Sequence, residues 1–203
     1  MAGFWQRLFR RDERQNPVIT ARVERRAPTR RSAPPPARRA TVHSSEYVPR
    51  EEEETLLRLD ANGLPNLRLV RARDRLVLEA PGRRWVNPSS PNLRRIGITV
   101  FRVRGVSHHE AAVRTGRFTP GSPVRLVREP DNEHDPSAVA VYAEKARRPA
   151  GYVNKQNAKR LARLLDAGDE LVAISTRGSA AGRDGSAPVV LVTSPEILAH
   201  LQR

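Results

Sequence analysis

The sequence predicts a mostly β protein with short helices: a small six-stranded β-barrel over residues 96–203, preceded by a disordered basic tail. Three observations carry that expectation. Beyond residue 96, apolar residues alternate in short runs separated by turn formers, which is the spacing of half-buried strands. Helical periodicity is confined to short windows, the longest from Lys155 to about Ala167. From Gln15 to Pro49 there is almost no apolar periodicity, but there are the run Pro34-Pro35-Pro36 and the pairs Arg25-Arg26, Arg30-Arg31 and Arg38-Arg39. Such composition cannot bury enough apolar area to offset chain entropy.

Taken in order, the chain divides into residues 1–50, an Arg/Pro-rich tail; 51–95, an acidic linker and hairpin; and 96–203, the barrel. At the extreme N-terminus Phe4, Trp5, Leu8 and Phe9 fall on one helical face among Arg7, Arg10, Arg11 and Arg14. That is the pattern of a short helix that docks on a membrane surface or a partner, or of a frayed end. Glu51 to Glu54 read as a solvated helix start or linker. Leu67–Val70 and Arg75–Glu79 alternate around Arg71-Ala72-Arg73-Asp74, which reads as a hairpin, and Pro81-Gly82 ends it. Trp85 is expected to pack, against a surface the sequence does not name.

Within the barrel, Ile98 to Val103 is the first strand, running to Gly105. Ser107 with Glu110 three residues later has capping-box spacing, so a short helix His108–Arg114 is expected, stopped by Thr115-Gly116. Val124–Arg128 is the second strand and Pro130–Pro136 a loop of turn formers. Ala138–Tyr142 and Gly151–Val153 are short buried strands. Asn154 caps the helix from Lys155, whose Ala158, Leu161, Ala162, Leu164 and Leu165 share a face, with Gly168 as its stop. Leu171–Ser175 and Val189–Val192 are the last strands, joined by a glycine-bearing loop from Gly178 to Ala187. Pro195 opens a closing helix, Glu196–Leu201. Closure into a barrel answers the edge-strand problem; an α+β sandwich is the other architecture this pattern allows.

The composition limits what the chain does. Only 38% of the 203 residues are apolar and 4% aromatic, so one core spanning the whole chain is not expected. The absence of cysteine excludes disulfides, thiolate metal sites and cysteine nucleophiles. No window approaches the ~20 apolar residues of a spanning helix, and no signal peptide is visible, so a cytoplasmic protein is expected. The net charge of +15 attracts polyanions: nucleic acid, anionic lipid or an acidic protein. Residues 1–50 hold 12 Arg against 4 acids, so more than half the excess sits in the first quarter. All but Lys145, Lys155 and Lys159 of the 37 basic residues are arginine. That bias reads as bidentate phosphate binding or as the arginine codons of a GC-rich genome.

The string Leu126-Val127-Arg128-Glu129-Pro130-Asp131-Asn132-Glu133-His134-Asp135-Pro136-Ser137-Ala138-Val139-Ala140-Val141, followed by Gly151-Tyr152-Val153, resembles the HIRAN domain. Gly105–His109 and Gly116–Gly121 extend the likeness, which covers about residues 96–195. The resemblance implies a modified OB-fold or SH3-like barrel of the kind found fused to fork-remodelling helicases and zinc-finger nuclease modules, and as small stand-alone bacterial proteins. It implies capture of the 3′ end of single-stranded DNA, with terminal bases stacked on aromatics and an Asp bonding the free 3′-hydroxyl. Carried over residue by residue, Asp135 takes the hydroxyl-binding position and Asn132 that of the motif Asn. His134 stands where the remodellers have an aromatic, and Ser107-His108 where they have Arg-Tyr, so a guanidinium and a ring are lost. Tyr152 and Lys155 fall where the remodellers touch the strand. Asn132 and Asp135 also suit a purely structural role, because Asx side chains bond their own turns.

No catalytic constellation is legible. His108, His109, His134, Asp135 and Glu110 fit no metal-ligand spacing, and Gly178–Gly185 lacks the Gly-Lys-Ser/Thr of a Walker loop. The expectation is therefore a non-enzymatic nucleic-acid-binding protein without cofactor or metal, acting in DNA repair or fork processing. Its partners would be single-stranded DNA or another nucleic acid and a separately encoded helicase or nuclease. The alternative is an interaction adaptor, with the barrel binding protein and residues 1–14 docking on a membrane surface. Oligomeric state is left open.

Overall fold

The computed structural model describes residues 47–183 and 186–203. The Phe4–Phe9 helix, the tail up to residue 46 and the centre of the last hairpin loop lie outside them. The described residues begin with Tyr47, which bridges to Trp85, their rings meeting edge-on at 5.8 Å. That contact is the partner Trp85 needed. Helix α1 follows (Arg50–Leu56), then the antiparallel strands β1 (Arg68–Ala72), β2 (Arg75–Ala80) and β3 (Arg84–Trp85). The β1–β2 reversal is tight because Arg73 takes a left-handed conformation at φ 55°.

Six further strands form one antiparallel sheet: β4 (Thr99–Arg102), β5 (Pro123–Arg128), β6 (Val139–Ala143), β7 (Gly151–Tyr152), β8 (Val172–Arg177) and β9 (Val189–Thr193). Their spatial order is β4-β9-β8-β5-β6-β7. The sheet curls into a half-barrel whose two edges meet at one point. There Arg104, just past β4, and Tyr152 of β7 exchange both backbone hydrogen bonds at 2.9 Å. Gly151 makes this junction possible. Its φ is 145°, and a Cβ there would stand 2.3 Å from the Arg104 carbonyl oxygen, so no other residue fits without opening the seam.

Strand alternation explains the layers. On β9, Val190 and Val192 face the barrel interior with Phe101, Val103, Val139 and Val141, whereas Leu191 faces the other way. On β8, Ala173 and Ile174 divide in the same manner. The outer face is not solvated: Leu191 and Ile174 join Leu67, Leu78, Val86, Leu93 and Ile98 in a second core, with Leu201 of the last helix. The β1–β3 hairpin thus covers the back of the barrel, and that core runs across residue 96 without interruption. The inner core is closed by α3 (Lys155–Asp166), which presents Ala158, Leu161 and Ala162.

Two local expectations are corrected. The box of Ser107 and Glu110 does not cap a helix. Gly105 adopts φ 70° and turns the chain into a 3₁₀ turn over Val106–His108, so α2 (Glu110–Thr115) starts only after His109, without a side-chain cap. The acidic run is not wholly solvated either. Glu53 is 3% exposed and accepts a hydrogen bond from the Ser90 hydroxyl, while Glu54 meets Arg95 at 2.7 Å on the surface. The closing helix α4 (Pro195–Leu201) forms as expected, with Ser194 capping it through the Ile197 amide.

Candidate nucleic-acid interface

The Asn132–Asp135 loop is built by its own polar side chains. The Asn132 carboxamide oxygen accepts from the amides of His134 (3.0 Å) and Asp135 (3.3 Å), and its Nδ2 donates to Glu129 Oε2 at 2.9 Å. Its hydrogen-bonding capacity is largely spent on shaping the loop. Asp135 uses one oxygen, Oδ1, to accept from the Ser137 amide at 2.8 Å. Its second oxygen accepts nothing from the described residues, and the side chain is half-exposed. His134 is exposed beside it.

Tyr152 anchors the other side. Its ring packs at 5.6 Å on His109, and its hydroxyl lies against Glu129 and Asn132. Burial, and after it the nearby Glu129 carboxylate, push the phenol above its ordinary range. One network therefore joins His109, Tyr152, Glu129 and Asn132 to the Asp135 turn. Glu129 is not paired with Arg128 or Arg104. Arg128 reaches Asp166 at the end of α3 (3.1 Å) and the Ala138 carbonyl, which leaves it committed.

The other expected residues lie apart from this loop in different degrees. The 3₁₀ turn holding Ser107 and His108 packs beside β7. Both side chains are exposed and line a cleft of about 770 Å³ with Glu110 and Arg114. Lys155 is the exposed first residue of α3, three positions beyond Tyr152. His109 and Glu129 carry contacts that sequence reasoning did not assign. The signal for His109 was its place next to His108: a 3₁₀ turn, not an α-helix, decides which of the two rings reaches Tyr152. Among the described residues no three His, Asp or Glu side chains come together as metal ligands, and no helix is long and apolar enough to cross a membrane.

Comparison with known proteins follows the same residues. The HIRAN domain family matches residues 96–187. Two solved structures are similar. One is the HIRAN domain of human HLTF, 20% identical with a TM-score of 0.37, covering 52% of this chain and 83% of that one. The other is a protein from Lactobacillus plantarum, 23% identical with a TM-score of 0.35, covering 48% of this chain and 99% of that one. No curated protein matches the chain. The likeness to the HIRAN domain family thus runs over residues 96–187, from the approach to β4 up to the last hairpin loop.

Proposed function

We propose that this HIRAN domain binds single-stranded DNA at a free 3′ end, in DNA repair or fork processing. The observation that carries the reading is the half-used Asp135 carboxylate. One oxygen is fixed by the Ser137 amide, which orients the group; the other is open to a donor. A sugar hydroxyl is such a donor, and a charge-assisted hydrogen bond to a carboxylate is about twice as strong as a neutral one. A 3′-phosphate at the same spot meets that carboxylate as well as Glu129, Asp131 and Glu133 on the same loop.

In this reading Asn132 positions the loop, and Tyr152 with His109, and the exposed His134 and His108, offer ring faces to the last bases. Base–aromatic stacking contributes ~1–3 kcal/mol per base. Ser107 borders the approach and Lys155 neutralises a phosphate. The partner class is an enzyme that produces or consumes free 3′ ends, such as a helicase or nuclease.

The test is fluorescence anisotropy of the full chain with a labelled single-stranded decamer ending in a 3′-hydroxyl and with its 3′-phosphorylated twin. The hydroxyl form binds several-fold tighter, and Asp135→Ala removes that ratio. Equal affinity of the wild-type chain for both oligonucleotides overturns end capture.

A further inference from the structure

Arg104, at the junction with Tyr152, also borders a second feature. Between β4, the start of α3 and the 88–94 segment lies a polar cleft of about 260 Å³. Its walls carry Arg94, Arg102 and Arg104, with Ser89, Asn154 and Gln156 between them. No carboxylate lines it. All three arginines are exposed, and among the described residues none of their guanidinium groups is engaged in an ion pair or a hydrogen bond. Arg102 and Arg104 stand two residues apart and therefore on the same side of the strand path. Arg94 faces them from a segment that precedes the family match, held by the Ser90 cap and the left-handed Gly97 at the two ends of its 3₁₀ turn.

The field in the cleft is strongly positive. Burial, and after it the charge of Arg94, lower the pKa of the neighbouring Arg160, whose guanidinium holds Thr99 Oγ1 at 2.7 Å and the Arg94 carbonyl at 3.3 Å. The volume is below the ~300–1,000 Å³ of small-molecule sites, and the lining is polar. An extended, repeating anion fits such a place better than a compact apolar ligand.

We propose that this inter-element cleft is a phosphate track: it holds the sugar–phosphate backbone of a single strand on Arg94, Arg102 and Arg104 while the strand's end lies across the Arg104–Tyr152 seam. The inference rests on the nucleic-acid reading above and adds to it a wall supplied by residues 88–94, outside the HIRAN match.

The experiment uses the full chain and the same 3′-hydroxyl decamer across a salt series. Arg94→Ser with Arg102→Ser removes two phosphate contacts. It weakens binding roughly tenfold near physiological salt and flattens the slope of log K against log salt by ~1.4, at ~0.7 per phosphate. The preference for 3′-hydroxyl over 3′-phosphate is retained. Arg147→Ser with Arg148→Ser, which line a separate basic cleft beside Arg117 and Lys145, removes the same net charge and changes the slope by less than half as much. Equal effects of the two pairs, or wild-type affinity in the first, overturn the track. A wild-type chain without end preference, but with the Arg94/Arg102 effect intact, removes end capture and leaves the track standing. Failure of the wild-type chain to bind the decamer removes both.

Discussion

Two regions near the Arg104–Tyr152 seam, the 129–135 loop and the arginine cleft, differ in charge and in how their polar groups are used. The 129–135 loop carries Glu129, Asp131, Glu133 and Asp135 and no basic residue but His134, and its hydrogen bonds are mostly internal. The cleft carries three arginines that are unpaired among the described residues, and no acid. Coulomb's law favours a phosphodiester chain at the second and disfavours it at the first. In the proposed reading the contrast separates two tasks: a long-range, salt-sensitive attraction for backbone, and a short-range acceptor for an uncharged terminus. A uniformly basic face would bind strands anywhere along their length.

The most drastic way to break the comparison is to open the seam. Gly151→Val drives a side chain into the Arg104 carbonyl and Val103. A loss on the order of 3 kcal/mol is expected from backbone strain and overpacking, read as a large fall in thermal midpoint together with loss of oligonucleotide binding. Ser90→Ala comes next. It strands the buried Glu53 carboxylate, at ~1–3 kcal/mol, measured by denaturant unfolding. Because Ser90 also caps the turn that carries Arg94, decamer affinity falls with it while the 3′-hydroxyl preference survives. Asn132→Ala acts on the 129–135 loop. It frees the Asp135 turn at ~1–2 kcal/mol, and the ratio between 3′-hydroxyl and 3′-phosphate ligands collapses with little change in salt slope. Asp131→Asn with Glu133→Gln has a smaller effect: the phosphorylated oligonucleotide gains a few-fold in affinity and the hydroxylated one hardly moves.

The smallest expected effect is a titration. The Tyr152 phenol is raised, so the protonated form is the one the fold favours. Its stabilising contribution is fully present below the ordinary tyrosine value of ~10 and is lost as pH rises through the higher folded value. A spectrophotometric titration compared with that of Tyr152→Phe isolates one late phenolate. A phenol titrating at or below ~10 contradicts the burial of Tyr152 beside the Glu129 carboxylate.

Much of this architecture was legible in the residues because strand periodicity is local. The alternation in Val124–Arg128 and in Val189–Val192 marks strands without knowledge of their neighbours, and Lys155 with Gly168 bracketed α3 to within a residue of its observed end. What the sequence hid depends on distant partners. Glu53 looks solvated among four glutamates until Ser90, far along the chain, returns to it. The outward face of β9 looks no different from any strand face, yet Leu191 is 1% exposed because the β1–β3 hairpin lies on it. Asn132, Asp135 and Tyr152 were singled out from the string alone. That Asn132 is consumed by its loop, and that His109 and not His108 meets the Tyr152 ring, follows from hydrogen-bond partners and from a 3₁₀ turn set by Gly105. Arg94 belongs to a segment with no motif, and only folding brings it opposite Arg102.

The most direct measurement is a backbone-amide shift map of the full chain titrated with the 3′-hydroxyl decamer. The account predicts perturbed amides in two patches, 132–137 with Tyr152 and 89–94 with Arg102 and Arg104, and loss of the first patch alone when the oligonucleotide carries a 3′-phosphate. Shifts confined to the arginine-rich N-terminal residues, or to the 145–148 loop, would contradict it.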